Sequence, residues 1–192
     1  MKRGLLGQNS RLSPELVFAL VRDMPYQRAS SREPEATIRE WRGTCSGKHY
    51  LLKVLFEELG FEAHIVMCPH VFTEENTAHF PAHLKALVSN QPIPDVHTFI
   101  RLKSNDQWMD IDATWPLSAR YLGMPVNDQF QPGVNMRIAC EPVEFFEVPD
   151  GIDPQTFKER LIKAYCGSQS YERDRFIEEM GRWLLASASQ SV

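Results

Sequence analysis

Gly43-Thr44-Cys45-Ser46-Gly47-Lys48-His49-Tyr50-Leu51-Leu52-Lys53-Val54-Leu55-Phe56-Glu57-Glu58-Leu59-Gly60 is the stretch that decides how this chain folds. Gly43-Thr44 breaks what precedes it, and Thr44 suits an N-cap, which places Cys45 in the first turn of a helix. Leu51, Leu52, Val54, Leu55, Phe56 and Leu59 cover more than half the circumference, so the helix is predicted to be buried on most sides. Gly60 supplies a left-handed C-terminal cap. Phe61 to Met67 then alternates, Phe61, Ala63, Ile65 and Met67 against Glu62, His64 and Val66, which predicts a strand.

Outward from this helix–strand unit, Ser13-Pro14-Glu15 starts a helix that runs to about Arg22, with Ser13 as N-cap and proline at the first helical position. Residues 25–34 read as a loop and 34–41 as a short helix. Residues 69–94, with Pro69, Pro81, Pro92 and Pro94, form an excursion holding one helix from Pro81 to Val88. Val96 to Leu102 alternates again, Ser104-Asn105-Asp106 turns, and Trp108 to Asp112 returns as the second arm of a hairpin. Residues 116–134 are irregular, 137–148 form a strand broken at Pro142, and two helices close the chain at roughly 154–166 and 170–187. Helices first, an antiparallel sheet in the middle and helices last is an α+β order.

The 192 residues suit a single domain. With 43% hydrophobic and 24% charged residues the chain can build a sizeable core. A net charge of −4, with its 21 Lys and Arg scattered, argues against nucleic acid or an anionic membrane as the main partner. Met1-Lys2-Arg3-Gly4-Leu5-Leu6 resembles the start of a signal peptide, but the apolar stretch stops at Gly7-Gln8-Asn9, so a cytoplasmic location is expected. The four cysteines (Cys45, Cys68, Cys140, Cys166) show no CxxC pair and suggest neither a disulfide framework nor a zinc knuckle. Cys68, His70, His79 and His83 are the one metal-like grouping. Pro81 falls between the two histidines and Cys-x-His is no standard ligand spacing, so no metal is expected.

Cys45 carries the chemistry. At a helix start, unpaired backbone N–H groups and the positive dipole end stabilise a thiolate, and the same groups can donate to an oxyanion. Gly43 lets a substrate backbone approach. A cysteine nucleophile needs an imidazole, and the imidazole an orienting acceptor. His97 sits near the start of one hairpin strand and Asp112 at the end of the next, so both fall near its open end on neighbouring strands. Asp110 shares a face with Asp112, and the pattern alone leaves the two open. His49, one turn below Cys45, and Lys48 read as support or packing. Trp41, Thr44 and Ser46 flank the nucleophile and are candidate substrate or oxyanion contacts, with a core anchor as the other reading of Trp41.

Gly43-Thr44-Cys45-Ser46 leading into Glu57-Glu58-Leu59-Gly60-Phe61-Glu62-Ala63 resembles the transglutaminase-like core of the papain-like superfamily. Asp95-Val96-His97-Thr98-Phe99 is similar to its histidine motif, and Trp108-Met109-Asp110-Ile111-Asp112-Ala113-Thr114 to its aspartate motif. The resemblance spans residues 41–116. It selects Asp112 over Asp110 and implies a catalytic helix packed on an antiparallel sheet, with a Cys45-His97-Asp112 triad and no cofactor. The chain departs from the pattern at Ser46, where an aromatic residue is common, and at Ala113, where the family has proline. Arg42-Gly43-Thr44-Cys45 also resembles, more loosely, the start of arylamine N-acetyltransferases.

The expected function is therefore cysteine-dependent acyl transfer or hydrolysis of a peptide, protein or small amide or acyl substrate. The alternatives are an inactive binding or scaffold module and acetyl transfer. The pattern leaves the oligomeric state open. The irregular segments 69–94 and 117–134 are expected to border the cleft.

Overall fold

The computed structural model describes residues 12–188, so the basic start at Met1–Ser10 lies outside the described residues. Within them the elements run α1 (Pro14–Arg22), α2 (Pro34–Glu40), α3 (Cys45–Glu58), β1 (Ala63–Phe72), α4 (Ala82–Asn90), β2 (Ile93–Ser104), β3 (Gln107–Ile111), β4 (Phe146–Glu147), α5 (Pro154–Cys166) and α6 (Ser170–Ala188). The strands make one antiparallel sheet in the order β3-β2-β1-β4, and the chain is α+β. No helix among the described residues is long and apolar enough to cross a membrane.

Local chemistry accounts for most element ends. The Ser13 hydroxyl accepts from the Leu16 N–H at 3.3 Å, and Pro14 follows at the first helical position. Asp153 caps α5 in the same way, accepting from Thr156 N–H at 2.7 Å. Gly60 takes φ 86° beyond the end of α3, a conformation that costs a side-chain-bearing residue about 1 kcal/mol or more. The β2–β3 hairpin turns on Asn105 and Asp106, both at positive φ, between the paired Ser104 and Gln107.

Strand β1 runs five residues past the predicted Met67, through Pro69 to Phe72. Proline belongs on a strand edge because it cannot donate to a ladder. The Pro69 carbonyl accepts from Val143 N–H at 2.8 Å, away from β2, so the missing donor also falls on the outer edge and pairing with β2 continues. The predicted strand 137–148 is the converse case: only Phe146–Glu147 pairs with β1. Upstream, the Arg137 and Ala139 N–H groups donate to the side chains of Asn127 and Asp112, so the segment runs as a strap and not as a strand.

The main core lies between α3 and one face of the sheet. Leu51, Leu52 and Phe56 pack with Val17 and Val21 of α1, Ile65 and Met67 of β1, Ile100 and Leu102 of β2, and Ile111 of β3. Each such buried side chain contributes roughly 1.5–3 kcal/mol. On the other face Val66, Cys68 and Phe99 are covered by Ile138 and Cys140 of the strap. A second cluster joins α4 and α6 through Leu84, Val88, Phe176 and Met180.

Candidate active site

Cys45 opens α3, and Thr44 at the N-cap is extended with no side-chain bond to the first turn, so its N–H groups remain available to a ligand. Cys45 is 5% exposed and lines a cleft of about 320 Å³. His97 comes from the middle of β2, and its imidazole acts on the Cys45 thiol closely enough to lower the thiol's pKa. Its Nε2 lies 2.8 Å from Asp112 Oδ2, which leaves Nδ1 for the sulfur. Asp112 follows β3 by one residue. Continuing the Ile100–Ile111 register sets it opposite Phe99, so it reaches His97 across a diagonal rather than directly. Asp110 instead receives the Arg101 Nε at 3.0 Å and does not reach the histidine.

The Asp112 carboxylate is held on all sides. Its Oδ2 also accepts from Ala139 N–H at 2.8 Å and its Oδ1 from Thr114 N–H at 3.0 Å. Burial opposes its charge, but His97 and these bonds outweigh burial and hold the carboxyl below the usual range. Burial likewise opposes charge on His97, yet Asp112 and Cys45 raise its pKa well above the ordinary value. Burial would push the Cys45 thiol up. The Lys158 ammonium and the His97 imidazole overcome that and bring it to about 6.

His49 supports the frame. Its Nε2 accepts from Ala113 N–H at 2.8 Å, so Nδ1 carries the proton and donates to the Cys45 carbonyl at 2.7 Å. Burial pushes its pKa down to about 4, and the neutral ring ties the start of α3 to the residue after Asp112. Lys48, fully buried, donates to the carbonyls of Arg22 at 2.8 Å and Thr114 at 2.9 Å. Gly43 is needed for contact within the fold: a Cβ there would meet Lys48 N at 3.1 Å and Thr37 Cγ2 at 3.2 Å.

Thr44 and Ser46 line the cleft, and Ser46 Oγ meets Thr98 Oγ1 at 3.2 Å. Trp41 is not among the lining residues. It ends α2 in the left-handed region at φ 58° and packs against the main core. The expected borders 69–94 and 117–134 do not wall the Cys45 cleft either, apart from Asp95 just beyond the first. Its walls are the loop 26–32, the start of α3, and α5 and α6. Residues of 70–80 and 115–125 line a separate groove of about 610 Å³, beside Ala139 and Cys140.

Three partners escaped the sequence reading. Lys158 of α5, 1% exposed, donates to Thr98 Oγ1 at 2.8 Å and to Cys45 Sγ at 3.7 Å. Arg173 of α6 donates to Asp95 Oδ1 at 2.6 Å, and the Ala139 N–H completes Asp112. Only Lys158 left a signal, a lysine in step with the buried Leu161 and Ile162 of its helix. Cys68, His70 and their neighbours do not converge: Cys68 Sγ faces Cys140 Sγ at 3.7 Å, and His70 Nε2 lies 3.5 Å from Asp95.

These contacts define a class of site, a buried imidazole between a helix-start thiol and a fully bonded carboxylate. Comparison with family models, curated proteins and solved structures finds no match to this chain.

Proposed function

We propose that this protein is a thiol enzyme that transfers or hydrolyses an acyl group through a covalent thioester, on a transglutaminase-like, papain-like core. The observation that carries the reading is His97 held by Asp112 at 2.8 Å while its imidazole lowers the pKa of the Cys45 thiol at the start of α3. Cys45 passes its proton to His97, and Asp112 holds the resulting imidazolium. The thiolate attacks the carbonyl carbon of an amide or ester, with helix-start N–H groups facing the oxyanion. The carbon–nitrogen or carbon–oxygen bond then breaks and His97 protonates the leaving group. Water or an amine attacks the thioester, His97 takes its proton, and the carbon–sulfur bond breaks to restore the thiol.

The test is the pH dependence of Cys45 alkylation by iodoacetamide, read by peptide mass spectrometry against a small free thiol. At pH 6 a thiol of pKa near 6 is about half ionised, whereas one near 8.5 is ionised on the order of 0.3%. Lower intrinsic nucleophilicity offsets about tenfold of that advantage, which leaves Cys45 about tenfold faster than the free thiol. His97→Ala should move the rate midpoint of Cys45 up by at least about one pH unit. A Cys45 rate equal to the free thiol's, or a midpoint indifferent to His97, removes the enzyme reading.

A further inference from the structure

The Lys158 ammonium is buried with unusual company. A buried cation ordinarily pairs with a carboxylate, because desolvation costs several kcal/mol if it does not. Among the described residues no carboxylate lies within ion-pair distance of Lys158; Asp95, which also lines the cleft, is engaged by Arg173 at 2.6 Å. Its partners are the Thr98 hydroxyl at 2.8 Å and the Cys45 sulfur at 3.7 Å. Two acceptors use two of the three ammonium protons. Lys158 and Cys45 line the same cleft, whereas His97 does not. The sulfur therefore lies between a base on its inner side and a cation on the side from which a substrate enters.

We infer that Lys158 is a catalytic residue of this site, its ammonium facing the Cys45 thiolate in the free protein and taking the oxyanion that forms when that sulfur attacks a carbonyl. This rests on the acyl-transfer reading above and adds a second charged group to it. A tetrahedral carbon bonded to Sγ carries its oxygen about 2.7 Å from the sulfur, so an Nζ near the observed position can reach that oxygen at an ordinary hydrogen-bond length of about 2.8 Å. Lys158 keeps its protons throughout: it exchanges a contact with the thiolate for one with the oxyanion, and returns to the sulfur when the thioester is resolved. The Thr98 hydroxyl fixes the position of Nζ. The other titratable groups that interact electrostatically with the sulfur are His97 and Asp95 from β2, Cys68 from β1, Lys48 and Tyr50 on its own helix, and Tyr26.

Two reagents separate the charge from the fold. Iodoacetamide is neutral and iodoacetate carries a carboxylate next to the carbon attacked by sulfur, so their rate ratio reads the local cation directly. With Lys158→Met, the midpoint of the Cys45 alkylation profile should rise by about one to two pH units. The iodoacetate-to-iodoacetamide ratio, normalised to a free thiol, should fall at least about fivefold. Lys158→Arg should retain most of both. Thr98→Val changes no charge and should shift both readouts in the same direction by less, which serves if the methionine variant does not fold. An unchanged midpoint and ratio in the folded methionine variant overturn the proposal, and a raised midpoint with an unchanged ratio overturns its oxyanion half. His97→Ala keeps the two readings apart: if it leaves the Cys45 midpoint unmoved the enzyme reading fails, whatever Lys158→Met does.

Discussion

Replacing Lys48 with methionine should remove a pH dependence of stability that the natural chain carries between about pH 7 and pH 10. The Lys48 side chain is fully buried and its Nζ has two carbonyl acceptors, those of Arg22 and Thr114. Two acceptors match the two N–H groups of a neutral amine, so the third proton of the ammonium adds charge without a carbonyl to receive it. Burial accordingly lowers the pKa to about 7, against the opposing pull of Asp23 and Asp112. In the unfolded chain the amine titrates near 10.4, at about its free value. Between the two values the unfolded chain holds a proton that the folded chain has released. Stability therefore rises with pH across that window by up to about 1.4 kcal/mol per unit, roughly 4 kcal/mol in all. Below the folded value both states are protonated and this contribution has no slope. Methionine has no titration, and it leaves the two carbonyls unpaired at about 1–3 kcal/mol each. Urea unfolding of both proteins at pH 7, 8, 9 and 10 measures the effect, because the other ionisable groups largely cancel in the difference. The stability gap between them should widen steadily with pH. A gap that stays constant would refute the claim that this ammonium is desolvated in the folded state.

Asp112→Asn should keep the correct imidazole tautomer, because the Oδ2 position faces two N–H donors and Oδ1 only one, so the amide oxygen settles toward His97. The loss is then one of charge, and the Cys45 alkylation midpoint should rise by about one to two pH units without loss of the native fold. Gly43→Ala puts a Cβ against Lys48 N at 3.1 Å and Thr37 Cγ2 at 3.2 Å, and should lower stability by about 1–3 kcal/mol in urea unfolding. The Cys68 sulfur and burial raise the Cys140 thiol above its ordinary range. Cys68→Ala should therefore make Cys140 alkylate faster at about pH 8.5 by peptide mass spectrometry.

The elements that were legible in the sequence are those whose determinants lie within a few residues. Ser13-Pro14 starts α1, Gly60 follows the end of α3, and Asn105-Asp106 makes the hairpin turn that brings His97 and Asp112 to one end. The rest depended on distant partners. Nothing near Pro69 tells that its missing donor faces outward, and nothing near Ala139 tells that its N–H is taken by a carboxylate 27 residues away. Trp41 was drawn toward the site by its nearness to Cys45 in sequence, although the left-handed turn after α2 sends it to the core. The thiol and imidazole were legible because each carries its chemistry in its residue type. Lys158 was not, since a lysine on an amphipathic helix ordinarily extends to water, and what holds this one is a hydroxyl and a sulfur on elements 60 and 113 residues earlier.

The contact between Lys158 and Cys45 also sets an order of events at the ribosome. Synthesis runs from the N-terminus, so Cys45, His97 and Asp112 all leave the exit tunnel before the helix that brings Lys158. A nascent chain that has reached the hairpin holds a cysteine with its imidazole but without its ammonium, so only one of the two groups that offset burial of the thiolate is present. Docking of α5 then adds the second of these groups to the sulfur. A C-terminally clipped chain that lacks α5 should therefore hold Cys45 at a higher thiol pKa than the intact chain does.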